Sequence, residues 1–92
     1  MNIQWLFDVI EDRKKNPAEN SYTSSLFMDG LPKIAQKVGE EGTEVVVAAL
    51  SQDDQRLVEE VADLTYHTLV LLSARGLTPA QILAELEKRH RK

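Results

Sequence analysis

Apolar residues recur along the chain at intervals of three and four, and strict apolar–polar alternation never lasts more than a few positions. That spacing predicts helices. In "NIQWLFDVIEDRKKN" the apolar positions are 3, 5, 6, 7, 9 and 10, Asn2 is placed to cap, and Pro17 stands ahead as a stop. A helix is expected from about Ile3 to Lys15. "PAENSYTSSLFMDGLP" is polar, carries two prolines and a glycine, and reads as a loop. Within it "TSSLFMDG" fits one or two helical turns ended by Gly30. A long helix follows, with Pro32 at its first position and Leu50 at its end. Ser51 reads as the N-cap of the next helix, which has acids in its first turn and runs to Gly76. Thr78, Pro79 and Gln81 mark the last helix by a cap, a proline at the first position and a capping box. "VVV" at 45–47 has strand propensity but lies inside helix-compatible sequence. The expected fold is all-α: two long central helices in an antiparallel hairpin, with shorter helices at both ends.

The first long helix contains "KVGEEGTEVVVAAL", residues 37–50, in which Gly39 and Gly42 interrupt a run holding Glu40, Glu41 and Glu44. An interior glycine costs about 1 kcal/mol relative to alanine. Like charges one turn apart cost roughly 0.2–0.5 kcal/mol per pair. The second long helix has its own acidic cluster, "EEVAD", with Glu59, Glu60 and Asp63. Glu60, Asp63 and His67 share one stripe of that helix, while Val58, Ala62, Thr65 and Leu69 lie opposite. Lys37, Glu41, Glu44 and Ala48 share a stripe of the first helix. In an antiparallel pair joined near residues 51–54, the two clusters stand at the same depth, given a rise of about 1.5 Å per residue. Glu41, Glu44, Glu60 and Asp63 can then converge on one volume.

Converging carboxylates repel, and buried charges need partners. A hard divalent cation with oxygen ligands, above all Mg²⁺, answers both demands. Gly39 and Gly42, lacking a Cβ, would let a helix or ligand come close. Each acidic motif alone is more often a solvated face. Two of them, level with each other on consecutive helices and beside apolar faces, favour the cation. Lys37 taken alone reads as an ion-pair partner of Glu41. His67 reads as a core histidine, and Trp5, Phe7, Phe27 and Tyr66 as core or interface residues.

The chain has 92 residues, enough for one domain over 1–92, and its 42% hydrophobic and 28% charged content is that of a folding sequence. A net charge of −4, with basic residues gathered only in the terminal "EKRHRK", argues against a nucleic-acid partner. Without cysteine there is no disulfide or thiolate metal site. No apolar run reaches 18 residues and no leader pattern opens the chain, so a soluble cytoplasmic protein is expected, with no membrane partner. So small a core leaves apolar surface for a partner subunit to cover.

"KVGEEGTE" followed by "EEVADLTYH" resembles the EExxE…ExxD signature of the MazG-like all-α nucleoside-triphosphate pyrophosphohydrolases. "SYTSSLF", "GLPKIAQKVGEEGTE", "ADLTYHTLVLL" and "LTPAQILAELEKRH" narrow the likeness to the phosphoribosyl-ATP pyrophosphohydrolases, over nearly the whole chain. The resemblance implies a MazG-like helical bundle completed by dimerisation. It implies Mg²⁺-dependent hydrolysis of 1-(5-phosphoribosyl)-ATP to 1-(5-phosphoribosyl)-AMP and pyrophosphate, the second step of histidine biosynthesis. It puts Glu41, Glu44, Glu60 and Asp63 on the Mg²⁺-binding positions and Glu40 on a water-positioning or general-base position. Lys37 and Lys33 would face substrate phosphates, and Ser21, Tyr22 and Thr23 would contact substrate. Gly42 stands where alanine would serve equally well. The lack of a second domain and of zinc-binding cysteines suggests the stand-alone form rather than a cyclohydrolase fusion. Two alternatives remain at this level: a house-cleaning (d)NTP pyrophosphohydrolase such as a dUTPase, and a non-catalytic helical dimer module.

Overall fold

The computed structural model describes residues 1–91, and among these it holds five helices and no strand. They are α1 (Ile3–Lys15), α2 (Tyr22–Asp29), α3 (Leu31–Ser51), α4 (Asp54–Ala74) and α5 (Pro79–His90). Side-chain caps set most of the starts. Asn2 accepts from the Trp5 N–H at 2.7 Å, and Ser21 accepts from the Ser24 N–H at 3.1 Å. Thr78 and Gln81 form the expected capping box. Each such cap stabilises its helix by about 1 kcal/mol.

The segment over 22–29 forms about two turns of helix ended by Gly30, in line with the sequence reading. The structure departs from that reading at two boundaries. Pro32 lies in the first turn of α3 but follows Leu31 instead of opening it. The second departure is at the hairpin turn. Ser51 does not cap α4; it is the last residue of α3, and its hydroxyl donates to the Val47 carbonyl at 2.7 Å. The cap is Asp53, which accepts from the Arg56 N–H at 2.9 Å. A serine hydroxyl reaching back one turn satisfies an orphan carbonyl, while a carboxylate beside free N–H groups suits the positive end of the helix dipole. At the far end of α4, Gly76 takes φ +72°, and the Leu77 N–H closes on the Leu72 carbonyl at 2.8 Å. A left-handed residue at this place favours glycine.

α3 and α4 form the antiparallel hairpin. The core lies toward its open end, where Phe7 and Ile10 of α1, Leu26 of α2, Ile34 of α3 and Leu69, Val70 and Leu72 of α4 meet. Phe7 is buried, and Phe27 and Tyr66 pack against this cluster, whereas Trp5 stays half exposed. A polar tie fixes α1 to α4 beside it. Lys14 Nζ donates to the Ser73 carbonyl at 2.8 Å and pairs with Glu11 at 2.9 Å, and the Ser73 hydroxyl donates to the same Glu11 carboxylate.

Two features point outward. α5 buries no residue of its own, and Ile82, Leu83 and Leu86 are each about half exposed. Ile82 and Leu83, with Ile3 and the α4 residues Leu64 and Leu69, border an apolar hollow of about 450 Å³. Gly39 and Gly42 also face open space, since a Cβ at either would meet nothing within 4 Å. The close approach expected at these glycines therefore does not occur within the chain.

Two stability experiments follow. Gly42→Ala should raise unfolding free energy by roughly 0.5–1 kcal/mol in urea titrations, because it removes backbone entropy at an unobstructed helical site. Ser73→Ala should lower it by about 1 kcal/mol near neutral pH. Hydrogen bonds from Ser73 and Lys14, outweighing burial, hold the Glu11 carboxyl below its ordinary value. A depressed carboxyl stabilises the fold above the unfolded-state value and loses that contribution as pH falls through its folded value. The difference between wild type and Ser73→Ala should thus be constant above about pH 5 and shrink below it. A pH-independent difference would refute the assignment to Glu11.

Candidate active site

The facing sides of α3 and α4 carry the acidic clusters. Glu60 sits one turn before Asp63 on α4, and Glu41 comes from α3 at the same depth. The hairpin brings carboxylate oxygens of Glu41, Glu60 and Asp63 within 4.8 Å of one another. Glu60 is buried, Glu41 half-buried and Asp63 open to solvent, so the cluster is a notch with one accessible side. Every donor in it is a carboxylate oxygen, the set that suits a hard cation such as Mg²⁺ over a softer metal. Glu44 does not join them. Three residues on from Glu41, it lies about 60° round the helix, and it is exposed.

Cations flank the acids. Arg56 Nη2 meets Glu60 Oε1 at 2.6 Å, and the same guanidinium also reaches Glu59. Lys37 Nζ stands 3.7 Å from Glu41 Oε1 and 3.6 Å from Glu40 Oε1. Burial works against the Lys37 charge, but Tyr22, Glu40 and Glu41 together outweigh it and hold the ammonium pKa above its ordinary value. The Glu40 carboxylate is exposed. It accepts a 3.0 Å bond from Gln36 that, with Lys37 and against slight desolvation, keeps its pKa below the usual value. Lys33 is exposed one turn before Lys37 and acts on Glu40 through space.

The segment holding Ser21, Tyr22 and Thr23 lies against α4 beside these acids. Ser21 is occupied as the α2 cap. The Tyr22 hydroxyl is 3.0 Å from His67 Nε2, and Thr23 Oγ1 hydrogen-bonds the Tyr66 hydroxyl. The Tyr22 and Tyr66 rings stack with centroids 6.2 Å apart, and both meet His67 edge-on. Burial raises the Tyr66 phenol pKa above its ordinary value, against the bond from Thr23. His67 is buried, as a core histidine should be, but it also binds the Asp63 carbonyl through Nδ1 at 2.8 Å.

The sequence reading grouped Glu41, Glu60 and Asp63, which the structure brings together, and did not name Arg56 or the links of Tyr66 and His67. Arg56 had a signal, standing four residues before Glu60 where an ion pair forms along a helix face. The partners of Tyr66 and His67 come from a different helix, and no local spacing reveals them.

The arrangement suits a polyphosphate with its divalent cation: an oxygen-only notch, a cationic lysine at its edge, and a polar segment closing one side. The chain is similar to several proteins that share one name. A protein of Lacticaseibacillus casei named phosphoribosyl-ATP pyrophosphatase is 54% identical over 99% of this chain and 83% of its own length. One of the same name from Clostridium botulinum is 50% identical over 98% of the chain and 82% of its own length. A third, from Sulfolobus acidocaldarius, is 48% identical over 98% of the chain and 95% of its own length. Residues 4–90 match the family described as phosphoribosyl-ATP pyrophosphohydrolase, and the chain belongs to that family.

Proposed function

We propose that this chain hydrolyses the α–β phosphate anhydride of 1-(5-phosphoribosyl)-ATP, releasing pyrophosphate and 1-(5-phosphoribosyl)-AMP, the second step of histidine biosynthesis. The observation that carries the reading is the gathering of Glu41, Glu60 and Asp63 on the facing sides of α3 and α4. These three would hold Mg²⁺, while Glu44, expected as a fourth ligand, stands outside their group. When bound, the ion supplies charge neutralisation on the phosphate oxygens and a more acidic water.

The remaining work falls to the chain's own groups. Lys37 stays cationic and offsets charge that grows on the departing pyrophosphate, and Lys33 extends that positive edge. Glu40, whose carboxylate accepts from Gln36, would orient the attacking water or accept its proton. Ser21, Tyr22 and Thr23 border the substrate from α2. On this reading the enzyme works in the cytoplasm, on a small nucleotide, as a homodimer whose subunits cover each other's apolar faces. A net charge of −4 would repel nucleic acid.

Incubation with phosphoribosyl-ATP and Mg²⁺ should yield phosphoribosyl-AMP, and chelation should stop it. Preference for dUTP, dCTP or ATP in the same assay would reassign the substrate. Glu41→Gln and Asp63→Asn should each lower the rate by about 100-fold or more with the helical circular dichroism unchanged. Fully active variants would reject the metal-site assignment.

Light scattering after gel filtration should give twice the 10.4 kDa chain mass at micromolar concentration. Leu83→Glu, on the exposed face of α5, should shift it toward a single chain. A monomeric wild type would contradict the homodimer.

A further inference from the structure

We infer that His67 is a positioning residue: through the Tyr22 hydroxyl it straps the start of α2 beside the carboxylate notch and so sets the substrate-binding edge. This rests on the substrate reading given above for Ser21–Thr23. His67 is only 5% exposed, and its ring touches three elements at once. Nδ1 is 2.8 Å from the Asp63 carbonyl, one turn back on α4. A carbonyl can only accept, so Nδ1 carries the proton and Nε2 presents its lone pair. The Tyr22 hydroxyl donates to that lone pair across 3.0 Å. Nδ1 also lies 4.0 Å from Glu41 Oε1, which puts the ring against the α3 side of the notch.

The strap is needed because α2 is a poor helix by itself. At eight residues it is far too short to persist in water, and Leu26 is its only buried apolar side chain. Its N-terminal turn, which holds Ser21, Tyr22 and Thr23, is tied to α4 by two side-chain contacts: Tyr22 with His67 and Thr23 with Tyr66. The Thr23–Tyr66 contact joins two rotatable hydroxyls. The imidazole, by contrast, is buried and fixed at both nitrogens, so it alone imposes a direction on its partner.

A double-mutant cycle tests this. Tyr22→Phe deletes the donor. His67→Phe keeps a ring of similar size but deletes the acceptor, and His67→Gln puts an amide oxygen within reach of Tyr22. Tyr22→Phe and His67→Phe should each raise KM for phosphoribosyl-ATP by about five- to tenfold, with kcat changed less than about twofold. The double variant should be no worse than either single one, and His67→Gln should recover most of the loss. In the protein without metal or substrate, hydrogen exchange should speed up in the amides of residues 22–26 in both Phe variants, and not in α3. Multiplying effects in the cycle, or unchanged exchange in α2, would overturn the strap. A wild type that does not turn over phosphoribosyl-ATP would overturn the substrate reading instead, and the exchange measurement would still decide the strap.

Discussion

Three carboxylates held between two helices repel one another, and positive charge on the same two helices answers them. At an effective dielectric of about 20, two unit charges 4.8 Å apart repel by roughly 3 kcal/mol. That is a large share of what so small a domain has in reserve. Arg56 meets the buried Glu60, and Lys37 lies beside Glu41. Asp63, the exposed member, has no such cation in contact among the described residues and relies on water. The notch is thus neutralised on its closed side and left negative on its open side.

The same arrangement explains what was legible in the sequence. The hairpin could be read because both long helices announce themselves by period and by their ends, and because a short connection forces neighbours to lie antiparallel. Equal depth of the acidic clusters then follows from helical rise alone. Glu44 was grouped with the others because it shares both a stripe and a depth with Glu41, yet it stands outside the group of three. A stripe drawn on a helical net is wider than the notch. Ser51 and Asp53 show a different limit, since both residues cap well in isolation. The choice went to the carboxylate because the serine hydroxyl was already taken by the carbonyl of Val47.

Tertiary contacts were the illegible part. Tyr22 and His67 are 45 residues apart, and nothing in either neighbourhood names the other. Helix α2 was legible as one or two turns within a loop, and it forms about two. Its serines and threonine compete with the backbone and weaken a helix. The Ser21 cap and the burial of Leu26 offset that, and only the second of these is invisible in the sequence.

Rigidity is unevenly shared as a result. α4 is anchored at its far end by the core and by the Glu11–Lys14–Ser73 tie, so its acids occupy fixed positions. α3 is held by the hairpin and by Ile34. Both bear the carboxylates that stand within 4.8 Å of one another. α2 is short and lightly buried, and such a segment opens at a fraction of the global unfolding free energy. The carboxylates therefore stand on two long helices anchored by the core, while Tyr22 and Thr23 stand on one short helix held to α4 by side-chain bonds.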